Sequence, residues 1–99
     1  MLKKYEADFS TNAEIELNQA IDWYDFQQLG LGEIFYNEID KVIASIERNP
    51  YYASVKYNET RVAFCKKFPF GVHYTINTNL NTVYITAIFN QNQLPFWEA

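Results

Sequence analysis

Cysteine is nearly absent from this 99-residue sequence, and so are histidine, glycine and any surplus of positive charge. The single cysteine, Cys65, excludes an intrachain disulfide and any multi-cysteine zinc site. A lone thiol on a strand is ordinarily buried and inert. Eight basic side chains against twelve acidic ones leave a formal charge of −4. That balance argues against a protein that grips a phosphate backbone over a broad basic face. No apolar run approaches the length of a membrane span. Nor does an apolar stretch follow Met1-Leu-Lys-Lys-Tyr-Glu6, as it would in a secretory leader. A cytoplasmic chain with no membrane contact is expected. With no glycine-rich phosphate loop and no nucleophile motif, neither a cofactor nor a metal is expected.

What is present is apolar and aromatic. Apolar residues make up 48% of the chain, with eight Phe, eight Tyr and two Trp, enough for the core of one domain spanning residues 1–99. The central stretch is Arg61 to Ile76, read as two strands broken at Phe68-Pro69-Phe70-Gly71. Val62, Phe64 and Phe68 share one parity before the break; Val72, Tyr74 and Ile76 share one after it. Pro69 has no N–H to give a ladder, so it marks the connection. A further strand, Thr82 to Phe89, carries an apolar row of Val83, Ile85, Ala87 and Phe89.

The N-terminal half must cover this sheet. Lys3 to Phe9 reads as a short strand. Ser10-Thr-Asn12 offers helix N-caps, and Thr11 with Glu14 fits a capping box. The helix is expected from about Asn12 to Leu29, with Ala13, Leu17, Ala20, Ile21 and Tyr24 in one stripe. Gly30 suits the end of that helix. The short link Leu31-Gly32 folds a second helix back over Glu33 to Arg48, with Phe35, Ile39, Val42, Ile43 and Ile46 as its apolar stripe. Asn49-Pro50 stops it, and Tyr51 to Asn58 reads as a loop. The expected fold is α+β: an N-terminal strand, a helical hairpin, then a three-stranded antiparallel meander with the helices on one face.

Several of these features occur together and in order. Phe9-Ser10 precedes a helix with Ala13, Glu16-Leu17, Ala20 and Trp23-Tyr24. Gly30-Leu-Gly-Glu33 and Phe35 open the next helix, and Ile46 with Asn49-Pro50 close it. Arg61, Lys67-Phe68-Pro69-Phe70, Tyr74, Ala87-Ile88-Phe89, Pro95 and Trp97 follow. The combination resembles the ParE/RelE superfamily of toxins from type II toxin–antitoxin modules, its ParE-like or plasmid stabilisation branch above all. The resemblance covers nearly the whole chain. It implies a small bacterial toxin neutralised by a cognate antitoxin in a hetero-oligomer. It also implies either of two activities: poisoning of DNA gyrase, as in ParE-like members, or cleavage of messenger RNA on the ribosome, as in RelE-like members.

The candidate site residues follow from that resemblance. Arg61 matches a recurring arginine before the first meander strand, and Lys67 shares its parity. In nuclease members such basic groups stabilise phosphate charge. His73, the only histidine, is titratable near neutral pH, but family members carry an apolar or aromatic residue there, so it reads as structural or as an interface residue. In the tail, relatives place a histidine and an arginine where this chain has Asn90 and Gln93, and often a basic residue at Gln91. Asn and Gln neither transfer protons nor carry charge. The tail therefore favours a toxin that acts by binding, through Arg61, Lys67, Asn90, Gln91, Gln93, Phe96 and Trp97. The alternatives are an RNA endonuclease using Arg61, Lys67 and His73, and an inactive relative that only binds an antitoxin. The carboxylates Glu14, Glu16, Asp22, Asp25, Glu33, Glu38 and Asp40 read as a solvated helix surface.

Overall fold

The chain begins its folded part with β1 (Glu6–Phe9), whose alternate side chains are exposed and half-buried. The computed structural model describes residues 4–93. Ser10 then caps α1 (Thr11–Gln27), its hydroxyl accepting from the Ala13 N–H at 3.0 Å. That bond satisfies one of the unpaired donors of the first turn. The cap is thus Ser10 with Ala13, one residue before the expected Thr11 box. Gly30, at φ +90°, ends up as the residue preceding α2 (Leu31–Arg48), so the second helix starts two residues earlier than its stripe suggests.

The helices touch near this turn. A Cβ on Gly32 would lie 2.5 Å from the Ile21 carbonyl oxygen, and the Gly32 N–H donates to Asp25 Oδ1 at 2.7 Å. Only glycine permits that approach. From α2, Phe35, Ile39, Ile43 and Ile46 are buried, as the stripe predicts. α1 is apolar on two sides: Ala13 and Ala20 are buried, while Ile15, Trp23 and Phe26 are exposed.

The sheet is larger than the expected meander and is mixed. Its five strands run β1-β5-β4-β3-β2, where β2 is Val55–Tyr57, β3 Thr60–Phe64, β4 Phe70–Asn77 and β5 Thr82–Asn90. β1 lies parallel to β5, because α1 and α2 carry the chain across before the meander begins; the remaining pairs are antiparallel. β2 falls in the stretch read as a loop. It forms a hairpin with β3 through Asn58 and Glu59, both at positive φ. Two-residue hairpin turns with that geometry match the strand twist.

Two parity assignments change. β3 ends at Phe64, so Phe68 belongs to the turn and not to the same row as Val62. It packs instead on Tyr24 and Phe35, with ring centroids 4.9 and 5.2 Å away, and Phe70 joins them. In β5, the register against β4 shifts between His73 and Tyr74: His73 pairs with Ala87 but Tyr74 pairs with Ile85. Thr86 is the extra residue of a bulge, which reverses the alternation beyond it. Val83 and Ile85 therefore join the core with Ile88, while Ala87 and Phe89 turn to the other face. The helix-covered core comprises Ala63, Phe70, Val72, Tyr74, Val83, Ile85 and Ile88 below the helical stripes. Among the described residues no helix is long and apolar enough to cross a membrane.

Candidate functional site

The sheet has a second face, set by the same registers. Val62 pairs with His73 and His73 with Ala87, so these three project together, away from the helices. All are buried, and His73 is 1% exposed. Its Nδ1 lies 2.8 Å from the Tyr57 hydroxyl, and its ring meets Phe89 edge-on at 5.9 Å. Burial pushes the His73 pKa down to about 4, so the imidazole is neutral at physiological pH. Burial also raises the Tyr57 pKa. The pair is a neutral hydrogen-bonded contact between β2 and β4. Sequence reading placed His73 as structural or interfacial. It missed Tyr57, which stood in the assumed loop; the signal was the alternation of Val55-Lys-Tyr57 before Asn58-Glu59.

Arg61 lies on the opposite, helix-covered face, because it pairs with Tyr74. Its Nη1 donates to the Ala53 carbonyl at 2.6 Å and to the Tyr51 carbonyl at 3.4 Å, and its guanidinium lies 5.2 Å over the Tyr51 ring. Tyr74 supports the same loop, its hydroxyl donating to the Pro50 carbonyl at 2.6 Å. Burial pushes the Tyr74 pKa up to about 12, which keeps that hydroxyl a donor.

Lys67 follows the other end of β3, in the turn to β4. Its ammonium is 3.7 Å from Glu38 Oε2, which Lys41 also holds at 3.0 Å. The Lys41 hydrogen bond, aided by the charge of Lys67, holds the Glu38 carboxyl below its usual range. Glu38 is only 9% exposed, so it is not part of a solvated surface. Its spacing from Phe35 and Val42 was the available sign that it flanks the buried stripe. The expected shared parity of Arg61 and Lys67 does not bring them together, because the strand ends between them. Among the described residues, Arg61, Lys67 and His73 point to three separate places.

The end of β5 is the remaining candidate surface. Asn90 accepts from the Asn92 N–H at 2.8 Å, and the Gln91 N–H donates to the Pro69 carbonyl at 2.7 Å. Asn90 and Gln93 border a cleft of about 370 Å³ with Trp23, Phe89 and Glu16. Glu16, read as a surface carboxylate, accepts from the Ile88 N–H at 2.9 Å and closes the edge of β5 beyond its pairing with β1. Phe96 and Trp97 lie outside the described residues. No group of His, Cys, Asp and Glu side chains among the described residues is arranged to hold a metal.

A helical hairpin on one face of a five-stranded sheet, with a parallel first strand and an antiparallel meander, defines the ParE/RelE-like fold. Among solved structures, the chain is similar to one in "Chromosomal ParDE TA system from P. aeruginosa", with a TM-score of 0.76 over 88% of this chain and 96% of that one, at 11% identity. It is also similar to a chain of the toxin-antitoxin complex RelBE2 from Mycobacterium tuberculosis, with a TM-score of 0.64 over 94% and 98%, at 14% identity. The likeness is one of fold; residue roles do not transfer at these identities. No protein-family model and no curated protein matches the sequence.

Proposed function

We propose that this chain is the toxin of a type II toxin–antitoxin module, neutralised by a cognate antitoxin and acting in the cytoplasm by binding a protein target. The fold shared with chains of ParDE and RelBE2 supports the toxin reading. The observation that carries action by binding is the dispersal of the charged and titratable groups. Cleavage of a phosphodiester needs a proton-transfer group and positive charge at one point. Here Arg61 is committed to loop carbonyls, Lys67 to Glu38, and His73 is buried and neutral. The proposed contact surface is the end of β5, with Asn90, Gln91 and Gln93, continuing into Phe96 and Trp97. Lys67, in the turn before β4, adds charge at its rim, whereas Arg61 braces the loop at the other end of β3 and lies apart from it.

Gyrase is the first target to test, on the resemblance to the ParE-like branch. The experiment is induction of the chain alone and with a candidate antitoxin, followed by growth and plasmid topology. Arrest with altered supercoiling, relieved by the antitoxin, is the expected result. Arrest with unchanged topology would remove gyrase as the target. No arrest from a folded, expressed chain would leave only an inactive antitoxin-binding protein.

A further inference from the structure

Val62, His73 and Ala87 lie on the sheet face away from both helices and outside the helix-covered core, yet they are only 4%, 1% and 4% exposed. Such burial matches that beneath the helices and calls for a cover on this side. Tyr57 and Phe89 supply part of it, through the His73 hydrogen bond and the edge-on ring contact. Phe64 shares this face by strand alternation with Val62, and Lys56 Nζ sits 5.9 Å from the centre of its ring.

The chain itself leads toward this face. At the end of β5 the Gln93 N–H donates to the Asn90 carbonyl at 3.1 Å, closing a turn that takes the chain out of the strand. Residues 94–99, Leu-Pro-Phe-Trp-Glu-Ala, follow and lie outside the described residues; Glu98 is their one charged side chain. The strands run side by side from β5 through β4 and β3 to β2, so the crossing is three strand spacings, about 14 Å. Six extended residues span up to about 20 Å, enough to reach Lys56 in β2. Pro95 has no N–H for a ladder, so side chains and not strand pairing would hold such a crossing. The competing seat is the cleft beside α1, whose lining includes Glu16 and no basic residue, a setting that opposes Glu98.

We propose that residues 94–99 cross the sheet face away from the helices as a strap, with Trp97 seated over His73 and Phe89 and Glu98 drawn toward Lys56. Phe96, next to Trp97 in an extended segment, then faces outward. The docking stands on the burial of that face; that its outward side, with Phe96, belongs to the target-contact surface rests on the proposed function.

The test uses the full chain with Trp23→Phe, which leaves Trp97 as the one tryptophan beside the one histidine. Nuclear Overhauser contacts between the Trp97 indole and the His73 imidazole are expected. Diethyl pyrocarbonate acylates accessible imidazoles. It is expected to modify His73 at least about fivefold faster in a chain ending at Gln93, and likewise in full-length Trp97→Ser, as removal of a cover does. Circular dichroism confirms that each variant is folded, and Trp97→Ser carries the comparison where the shortened chain does not fold. Absence of the indole–imidazole contacts would overturn the docking, as would unchanged His73 reactivity. Contacts from Trp97 to Gln19 or Ala20 would overturn it too, by seating the segment in the cleft beside α1. Growth arrest is read separately on the unaltered chain. Arrest without the indole–imidazole contacts would sink the strap and spare the toxin reading; the contacts without arrest would do the reverse.

Discussion

His73 and Arg61 show how a residue's neighbours override its chemical reputation. A histidine buried to 1% exposure with a pKa near 4 binds fewer protons in the folded state than in the unfolded state, where its value is near 6.5. Its contribution is therefore complete above about pH 6.5 and is lost progressively as pH falls toward 4, up to roughly 3 kcal/mol in all. Urea unfolding at pH 7 and pH 4.5 measures this, and His73→Gln is expected to flatten the difference. An unchanged pH slope in the variant would assign the titration to other groups. Arg61→Ala removes the donors to the Ala53 and Tyr51 carbonyls and the contact over the Tyr51 ring. The expected loss is about 1–3 kcal/mol of stability, read from the urea midpoint. An unperturbed midpoint would return Arg61 to the role of a free surface charge. The sequence made both residues visible but not their surroundings, since strand parity is known only once strand ends are known.

At the scale of the element, the helical stripes and β4 were legible because long amphipathic periods and β-branched or aromatic runs leave little choice. The bulge at Thr86 was not, because an extra residue leaves no local composition signal. β2 was hidden by its three-residue length. The parallel pairing of β1 depends on where the helical crossover returns the chain. Gly32 sits where the two helices meet. Gly32→Ala must displace the Ile21 carbonyl or the Asp25 carboxylate, each under 3 Å from the new methyl group. The expected cost is about 1–3 kcal/mol despite the gain in helix propensity, and a fall in melting temperature checks it. A rise would mean that the hairpin spreads freely. Glu47 and Glu16 each accept from an N–H on the outer side of a strand, Ala7 and Ile88. Such edges otherwise invite further pairing. Glu47→Ala is expected to promote concentration-dependent self-association, visible by light scattering; a variant that stays monomeric would show that the carboxylate is dispensable there.

For the whole molecule, the ordered features along the chain already resembled the ParE/RelE toxins, and the fold agrees with that resemblance. What the sequence did not show is that its candidate basic and titratable groups end up apart. Arg61 sits on the helix-covered face, His73 on the far face and Lys67 beyond the end of β3. That separation, with Asn90 and Gln93 at the end of β5, underlies the account of a toxin that works by occupying a partner. The measurement that tests it most directly is the length distribution of cellular messenger RNA at the onset of growth arrest, after induction of the chain without antitoxin. The account predicts arrest with full-length transcripts. Rapid fragmentation at arrest, abolished in Arg61→Ala protein that remains folded, would contradict it and make this chain an RNA endonuclease.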